Sequence, residues 1–202
     1  MTSDDRTYSA YQDGYSVFVW PDADAVSPRD AGFKNLGMIR IAPERRFERL
    51  TSDDPEDMTS LEKMKSEMAE AKDIIALPLY AMAAGDPDSS TGFFQLHSKP
   101  FLGDKQGVLV GFVSAPFSDA MAYFGREEMT EDLYHDVLER LADEIMLMNT
   151  YLADEVYRFE VHDSNGDVVS EGASIYEAEL ALDEAMHDIQ RVQEKLPSAF
   201  KM

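Results

Sequence analysis

Carboxylates set three and four residues apart are the most conspicuous chemistry in this sequence. One series comprises Glu131, Asp132, Asp136, Glu139, Asp143 and Glu144; a second comprises Glu177, Glu179, Asp183, Glu184, Asp188 and Glu194. On a helix, residues at that spacing share a face, roughly 5–6 Å apart, so each series lines up negative charge. Like charges so placed oppose helix formation by a few tenths of a kcal/mol per pair, and Arg140 and Arg191 relieve only part of it. A nucleic-acid strand presents a phosphate about every 3.4 Å along a duplex axis. A carboxylate row offers a comparable line of charge to a protein whose groove is built for phosphates. The residues expected to meet such a partner are Glu131, Asp132, Asp136, Glu139, Asp143, Glu144, Glu177, Asp183, Glu184 and Asp188. Two plainer readings stay open: a solvated face, and adaptation to high salt, since Lys supplies only eight of the eighteen bases.

The other reactive residue types lack a pattern. His97, His135, His162 and His187 fall in no HExxH spacing. His135 with Glu139, and Asp183 with His187, sit one helical turn apart, but two ligands do not close a metal site. Phosphate loops, GxGxxG and GxSxG are absent. Asp86, Asp88 and Asp104 lie near glycines without the twelve-residue calcium pattern. Pairs such as Asp53/Asp54 carry little information among 40 acids. Nothing links His97 to Ser114 or Ser118 as a nucleophile pair. With no cysteine, disulfides and thiolate chemistry are excluded. The expectation is a non-enzyme with no catalytic residue, metal or cofactor.

The 202 residues are 44% hydrophobic and 29% charged, values of a folded chain. The net charge is −22. Residues 1–100 hold 18 acids and 11 bases, whereas residues 101–202 hold 22 acids and 7 bases. Such a surface is repelled by DNA, RNA and anionic lipid and attracted to basic proteins. No apolar run nears the ~18–20 residues of a membrane span. The start, Met1-Thr2-Ser3-Asp4-Asp5, is unlike a signal peptide, so the expected location is the cytoplasm. Arg40, Arg45, Arg46 and Arg49 form a local basic island. Tyr8, Tyr11, Tyr15, Phe18 and Trp20 cluster early, and Met121, Met129, Met146 and Met148 add adaptable apolar surface. Core packing accounts for most of these; the excess is compatible with self-association.

The elements that would position the acids follow from periodicity and punctuation. Residues 1–14 read as a flexible tail and 15–202 as a single α+β domain. Strands are expected over 15–20, 36–41, 73–83, 92–97, 107–114, 155–162 and 167–171, with Pro78 marking an edge or bulge. Thr59-x-x-Glu62 and Ser174-x-x-Glu177 read as capping boxes opening helices to about Ala71 and Lys195. Ser118 caps a short helix to Phe124. Thr130 caps a longer one, whose buried stripe is Leu133, Val137, Leu141, Ile145, Met148 and Leu152. The last helix buries Ile175, Ala178, Leu182, Met186, Ile189 and Leu196. Asn165-Gly166 makes a hairpin turn. The expected fold is α+β: a mainly antiparallel sheet with two long amphipathic acidic helices in the C-terminal half.

Several short stretches recur in a known order: Leu77-Pro78-Leu79-Tyr80, His97-Ser98, Pro100-Phe101, Gly107 to Val113 as GVLVGFV, Glu144, Tyr151-Leu152, Asp154-Glu155-Val156-Tyr157 and Asn165 to Val169. In these, residues 73–184 resemble an uncharacterised family of small acidic proteins encoded by phages and other mobile elements of bacteria. A Cys-Trp-Asp-Ser-Gly segment usual in that family is replaced here by Leu102 to Gly107, and the first 70 residues have no counterpart. The resemblance supplies no catalytic residue. It implies a viral or mobile-element protein working inside a bacterium. Joined to the charge, it gives the expectation of an inhibitor that occupies the nucleic-acid groove of a host restriction or CRISPR-type defence complex. The alternative is an acidic accessory or structural phage protein without mimicry.

Overall fold

The structure is a computed structural model that describes residues 7–46, 50–84 and 93–195. In chain order the elements are β1 (Tyr8–Gln12), β2 (Tyr15–Pro21), β3 (Met38–Ile41), α1 (Leu61–Glu70), β4 (Ile74–Ala84), β5 (Phe93–His97), β6 (Phe101–Leu102), β7 (Lys105–Gln106), β8 (Val108–Pro116), α2 (Phe117–Phe124), α3 (Glu131–Leu152), β9 (Tyr157–His162), β10 (Val168–Ile175) and α4 (Ala178–Lys195). The fold is α+β, and among the described residues every strand pairing is antiparallel. The described residues from Pro28 to Ala153 form one compact unit; those up to Ser27 and from Asp154 form another. Two units thus stand where the sequence suggested one domain over residues 15–202. Among the described residues no helix is long and apolar enough to cross a membrane.

In the inserted unit, α3 begins where Thr130 Oγ1 accepts the Leu133 amide at 3.2 Å. Its six apolar residues at helical spacing, Leu133 to Leu152, are all buried. They pack on β4 and β5 of a sheet ordered β3-β8-β4-β5. Burying each such side chain contributes roughly 1.5–3 kcal/mol. Pro78 lies in β4 opposite Phe112, before the point where β5 joins at Tyr80, so only one neighbour is paired there; a register shift follows at Leu79/Tyr80. An edge or bulge is what the missing proline N–H requires.

The basic island serves the loop that follows β3. Arg46 donates to the carbonyls of Ile41, Pro55 and Asp57 and to Ser52 Oγ. Arg40 pairs with Asp57 at 2.8 Å and with Glu67 of α1 at 2.9 Å. Arg49 lies outside the described residues. The cap of α1 is Ser60, whose Oγ accepts from Lys63 N; it is not Thr59, because the Thr59 amide and hydroxyl are bound to Asp57. The short helix α2 likewise has Pro116 at its N-cap, while the Ser118 hydroxyl turns to Asp119.

The Thr59 hydroxyl, the Arg40 guanidinium and the Thr59 amide together pull the Asp57 carboxyl from 3.8 down to about 2. The folded value lies below the ordinary one. The ionised group therefore stabilises the fold above the ordinary value, and that contribution is lost as pH falls through about 2. Asp57→Asn is expected to remove this dependence. The gap in thermal midpoint between parent and variant should close between about pH 4 and pH 2. A gap that stays constant over that window would contradict the assignment.

The second unit is built on a sheet ordered β1-β2-β9-β10 with α4 on one face. Residues 8–12, read from the sequence as part of a tail, form β1 and pair with β2 from Tyr8↔Val19 to Gln12↔Tyr15. The cause is Asp13-Gly14, with φ of 53° and 87°, the two positive values of a type I′ hairpin turn. Residues 1–6 lie outside the described residues. At the other hairpin Asp163 Oδ1 accepts the amides of Asn165 and Asp167, and Gly166 adopts φ 88°.

Ser174 does not cap α4. It stands in β10 with φ 57°, its amide bound to Asp22 Oδ2 at 2.8 Å, and α4 starts at Ala178. The buried stripe of α4 is Ala181, Ala185 and Ile189, flanked by Leu182 and Met186. Alanines let the helix lie close to Val17, Val19, Phe159 and Val161. Ile175 belongs to β10, and Leu196 lies outside the described residues.

Candidate partner-binding surface

The geometry of α3 sorts its acids into two groups. At 3.6 residues per turn, Asp132, Asp136, Glu139 and Asp143 fall within an arc of about 60°. All four are exposed, as is Glu131 at the helix start. Among the described residues none of these five is ion-paired or hydrogen-bonded. Glu131 and Asp132 have a local reason to be acidic, since the N-terminal end of a helix favours negative charge. Asp136, Glu139 and Asp143, further along, have none.

Glu144 is different. It lies about 80–140° further round the helix, on the side of Val137 and Leu141, and its side chain is 1% exposed. Oε1 accepts the Leu36 amide at 2.6 Å; Oε2 accepts the Gly37 amide at 3.1 Å and Arg29 Nη1 at 3.0 Å. Arg140 Nε stands 3.2 Å from Oε1, close enough for charge attraction but not aligned as a hydrogen bond. Arg29 also grips Asp53 through Nε at 2.8 Å and Nη2 at 2.5 Å, and donates to the Gly37 carbonyl. Burial works against the Arg29 charge, but Asp53 and Glu144 outweigh it and raise its pKa. Glu144 is therefore a structural anchor for residues 29–37 and cannot meet a partner.

In the other unit, Glu177 is exposed just before α4, and Asp183 and Glu184 are exposed on it. Asp183, Glu184 and Asp188 line a groove of about 460 Å³ beside β10. Three residues outside the expected partner-facing set also line it: Glu171 from β10, and Leu180 and His187 from α4. Glu171 only borders the groove: it is paired with Glu160, so its side chain shares the sheet face turned away from α4. Asp188 is half-buried and partly neutralised, accepting from Ser170 Oγ at 2.6 Å and Arg191 at 3.0 Å. Asp183 and Glu184 have no ion-pair partner among the described residues. The groove offers carboxylates around an apolar wall, a setting for a Lys or Arg side chain.

The opposite face of that sheet carries a mixed row. Arg158 lies over the Trp20 ring at 5.1 Å and pairs with Glu160 at 2.8 Å. Glu160 also meets His162 Nε2 at 3.0 Å, and His162 stands edge-on to Phe18. Arg158 and His162 thus both meet Glu160.

Among the described residues no three His, Asp or Glu side chains converge to hold a metal ion. His97 and Ser114 lie on different strands. His97 pairs with Tyr80 and Ser114 with Ala76, so β4 and four residues of its length separate them. Family models, curated proteins and solved structures were compared with the chain, and none matches it.

Proposed function

We infer that the chain acts by binding a basic protein through exposed carboxylates, in the manner of a nucleic-acid mimic, and not by catalysis. The observation that carries this is the row Asp132, Asp136, Glu139 and Asp143 on α3: exposed, on one face, and without an ion-pair partner among the described residues. Three neighbouring like-charge pairs on one helix oppose the fold by roughly 0.2–0.5 kcal/mol each. A fold gains nothing from that arrangement unless something positive meets it. The α4 groove at Asp183 and Glu184 supplies a second acidic face, in the other unit. A cationic groove built for phosphates complements such a row in charge, and the complementarity speeds association as well as favouring it. The resemblance to acidic phage and mobile-element proteins supports a role inside a bacterium, against a host nucleic-acid-binding complex of the restriction or CRISPR type.

The test is capture from a bacterial lysate by the immobilised chain, followed by salt titration of the captured protein. Four carboxylates replacing four phosphates give an affinity loss on the order of a hundredfold between about 50 and 200 mM salt. DNA or RNA should displace the captured protein. Reversing Asp132, Asp136, Glu139 and Asp143 to Lys should abolish capture and leave the circular dichroism spectrum intact. Salt-independent capture, or capture unaffected by the reversal, would leave an acidic accessory protein without mimicry as the better reading.

A further inference from the structure

Asn165 is followed by Gly166, whereas Asn35 precedes Leu36 and Asn149 precedes Thr150. The order matters because a backbone nitrogen can attack the carboxamide of the asparagine before it. A side chain on the following residue hinders that approach, and glycine has none. Asn165 and Gly166 are both exposed, so water reaches the product of such an attack.

The hairpin turn between β9 and β10 opposes the attack through Asp163. Ser164 and Asn165 are the central pair of a β-turn, closed where the Gly166 amide donates to the Asp163 carbonyl at 3.0 Å. The proton that the attacking nitrogen must lose is thus engaged. The carboxamide is tethered as well, since Asn165 Nδ2 donates to Asp163 Oδ2 at 3.2 Å. Asp163 Oδ1 accepts the amides of Asn165 at 2.8 Å and Asp167 at 3.0 Å, which fixes the backbone on either side of the reacting pair. His162 Nδ1 stands 3.1 Å from the Gly166 carbonyl oxygen. Asp163 therefore holds both the nitrogen and the carboxamide, and holds them apart from one another's reactive approach.

We propose that Asn165 is a deamidation site whose rate is set by Asp163. The Gly166 nitrogen gives its proton to a base in solvent and attacks Asn165 Cγ. A new C–N bond closes a succinimide, the Cγ–Nδ2 bond breaks, and ammonia leaves carrying the returned proton. Water then opens the ring at either carbonyl and leaves aspartate or isoaspartate. Water is consumed, ammonia is released, and no oxidant or reductant takes part. Either product adds a negative charge at position 165. Isoaspartate also routes the main chain through the side-chain carbon, which lengthens the turn and displaces Val168 from its pairing with His162. Asp163 is a positioning residue that enters none of these steps.

The test is incubation of the folded full chain at neutral pH. Ion-exchange chromatography reads the added charge, and peptide mapping with an isoaspartate-specific methyltransferase locates it. The parent should deamidate slowly and at Asn165. Asp163→Ala should deamidate about tenfold faster, the factor expected when hydrogen bonds to a charged acceptor no longer hold the starting geometry. Asp163→Asn retains one acceptor oxygen and should fall between the two. Asp167→Ala removes the same charge from the same turn, leaves the Asp163 bonds in place, and should keep the parent rate. Adding Asn165→Ser to Asp163→Ala should abolish the acidic product. The parent unfolded in urea should react at least as fast as Asp163→Ala, a comparison that holds even where a variant is unstable. A product that maps to Asn35 or Asn149 overturns the proposal. So does an Asp163→Ala variant with the parent rate, an Asp167→Ala variant accelerated as much as Asp163→Ala, or an unfolded parent no faster than the folded one.

Discussion

Glu144→Ala is expected to destabilise the inserted unit by about 3–5 kcal/mol, the loss typical of breaking one side of a buried ion pair. The carboxylate holds the amides of Leu36 and Gly37 and one arm of Arg29. Alanine leaves two backbone donors without acceptors and Arg29 with Asp53 as its remaining carboxylate in this network. Each unsatisfied buried donor alone accounts for roughly 1–3 kcal/mol. Glu144→Gln should be nearly as damaging, because one of its two groups would be an N–H donor facing other N–H donors. Urea unfolding of the parent and both variants gives the answer. A double-mutant cycle with Arg29→Met should show coupling above about 1 kcal/mol. If Glu144→Ala lies within about 0.5 kcal/mol of the parent, as ordinary surface changes do, the anchor role is wrong. Glu144 would then return to the set of partner-facing acids.

Gly111→Ala should be at least as severe, costing about 3 kcal/mol or preventing accumulation of folded protein. Gly111 is paired with Ile41 where β3 crosses β8. A Cβ at Gly111 would fall 1.9 Å from the Arg40 carbonyl oxygen and 3.0 Å from Ile41 Cα. Those are backbone atoms, so no rotamer change relieves the overlap, and β3 must move. Movement breaks the short ladder from Met38 to Ile41 and pulls Ile39 and Ile41, both essentially fully buried, out of the core. Proteolysis after β3 and the near-ultraviolet spectrum would report it. A variant with parent-like stability and spectrum would show that the strands are further apart than described.

These positions show how much the sequence revealed. The Thr130 cap, the α3 stripe, the strand at Val108–Pro116 and the Asn165-Gly166 turn were legible because each is a local signal. The β1 hairpin was equally local, yet Asp13-Gly14 sits among polar and aromatic residues that blur the alternation of a strand. The start of α4 was obscured by chance: Ser174-x-x-Glu177 has the letters of a capping box, but a positive φ at Ser174 and its bond to Asp22 belong to a strand end. The α4 stripe was legible at Leu182, Met186 and Ile189 but lacked Ala181 and Ala185, because alanines weigh little in a hydrophobic pattern. Glu144 was grouped with the exposed acids on spacing alone. Its position three residues after Leu141 and seven after Val137 already sets it on the apolar side. The Arg29–Asp53–Glu144 network depends on long-range pairing, for which a single sequence carries no signal.

The central strand pair of the terminal unit, β2 with β9, joins Val17 to Val161. A ribosome releases β2 well before β9 exists. The whole segment from Pro28 to Ala153 has its own core and emerges in between. The inserted unit can therefore acquire its structure during synthesis, while the β1–β2 hairpin waits as an unfinished template for β9. Pairings this distant in sequence form slowly, which leaves the newborn hairpin with both flanks open and makes it the stretch most in need of a chaperone.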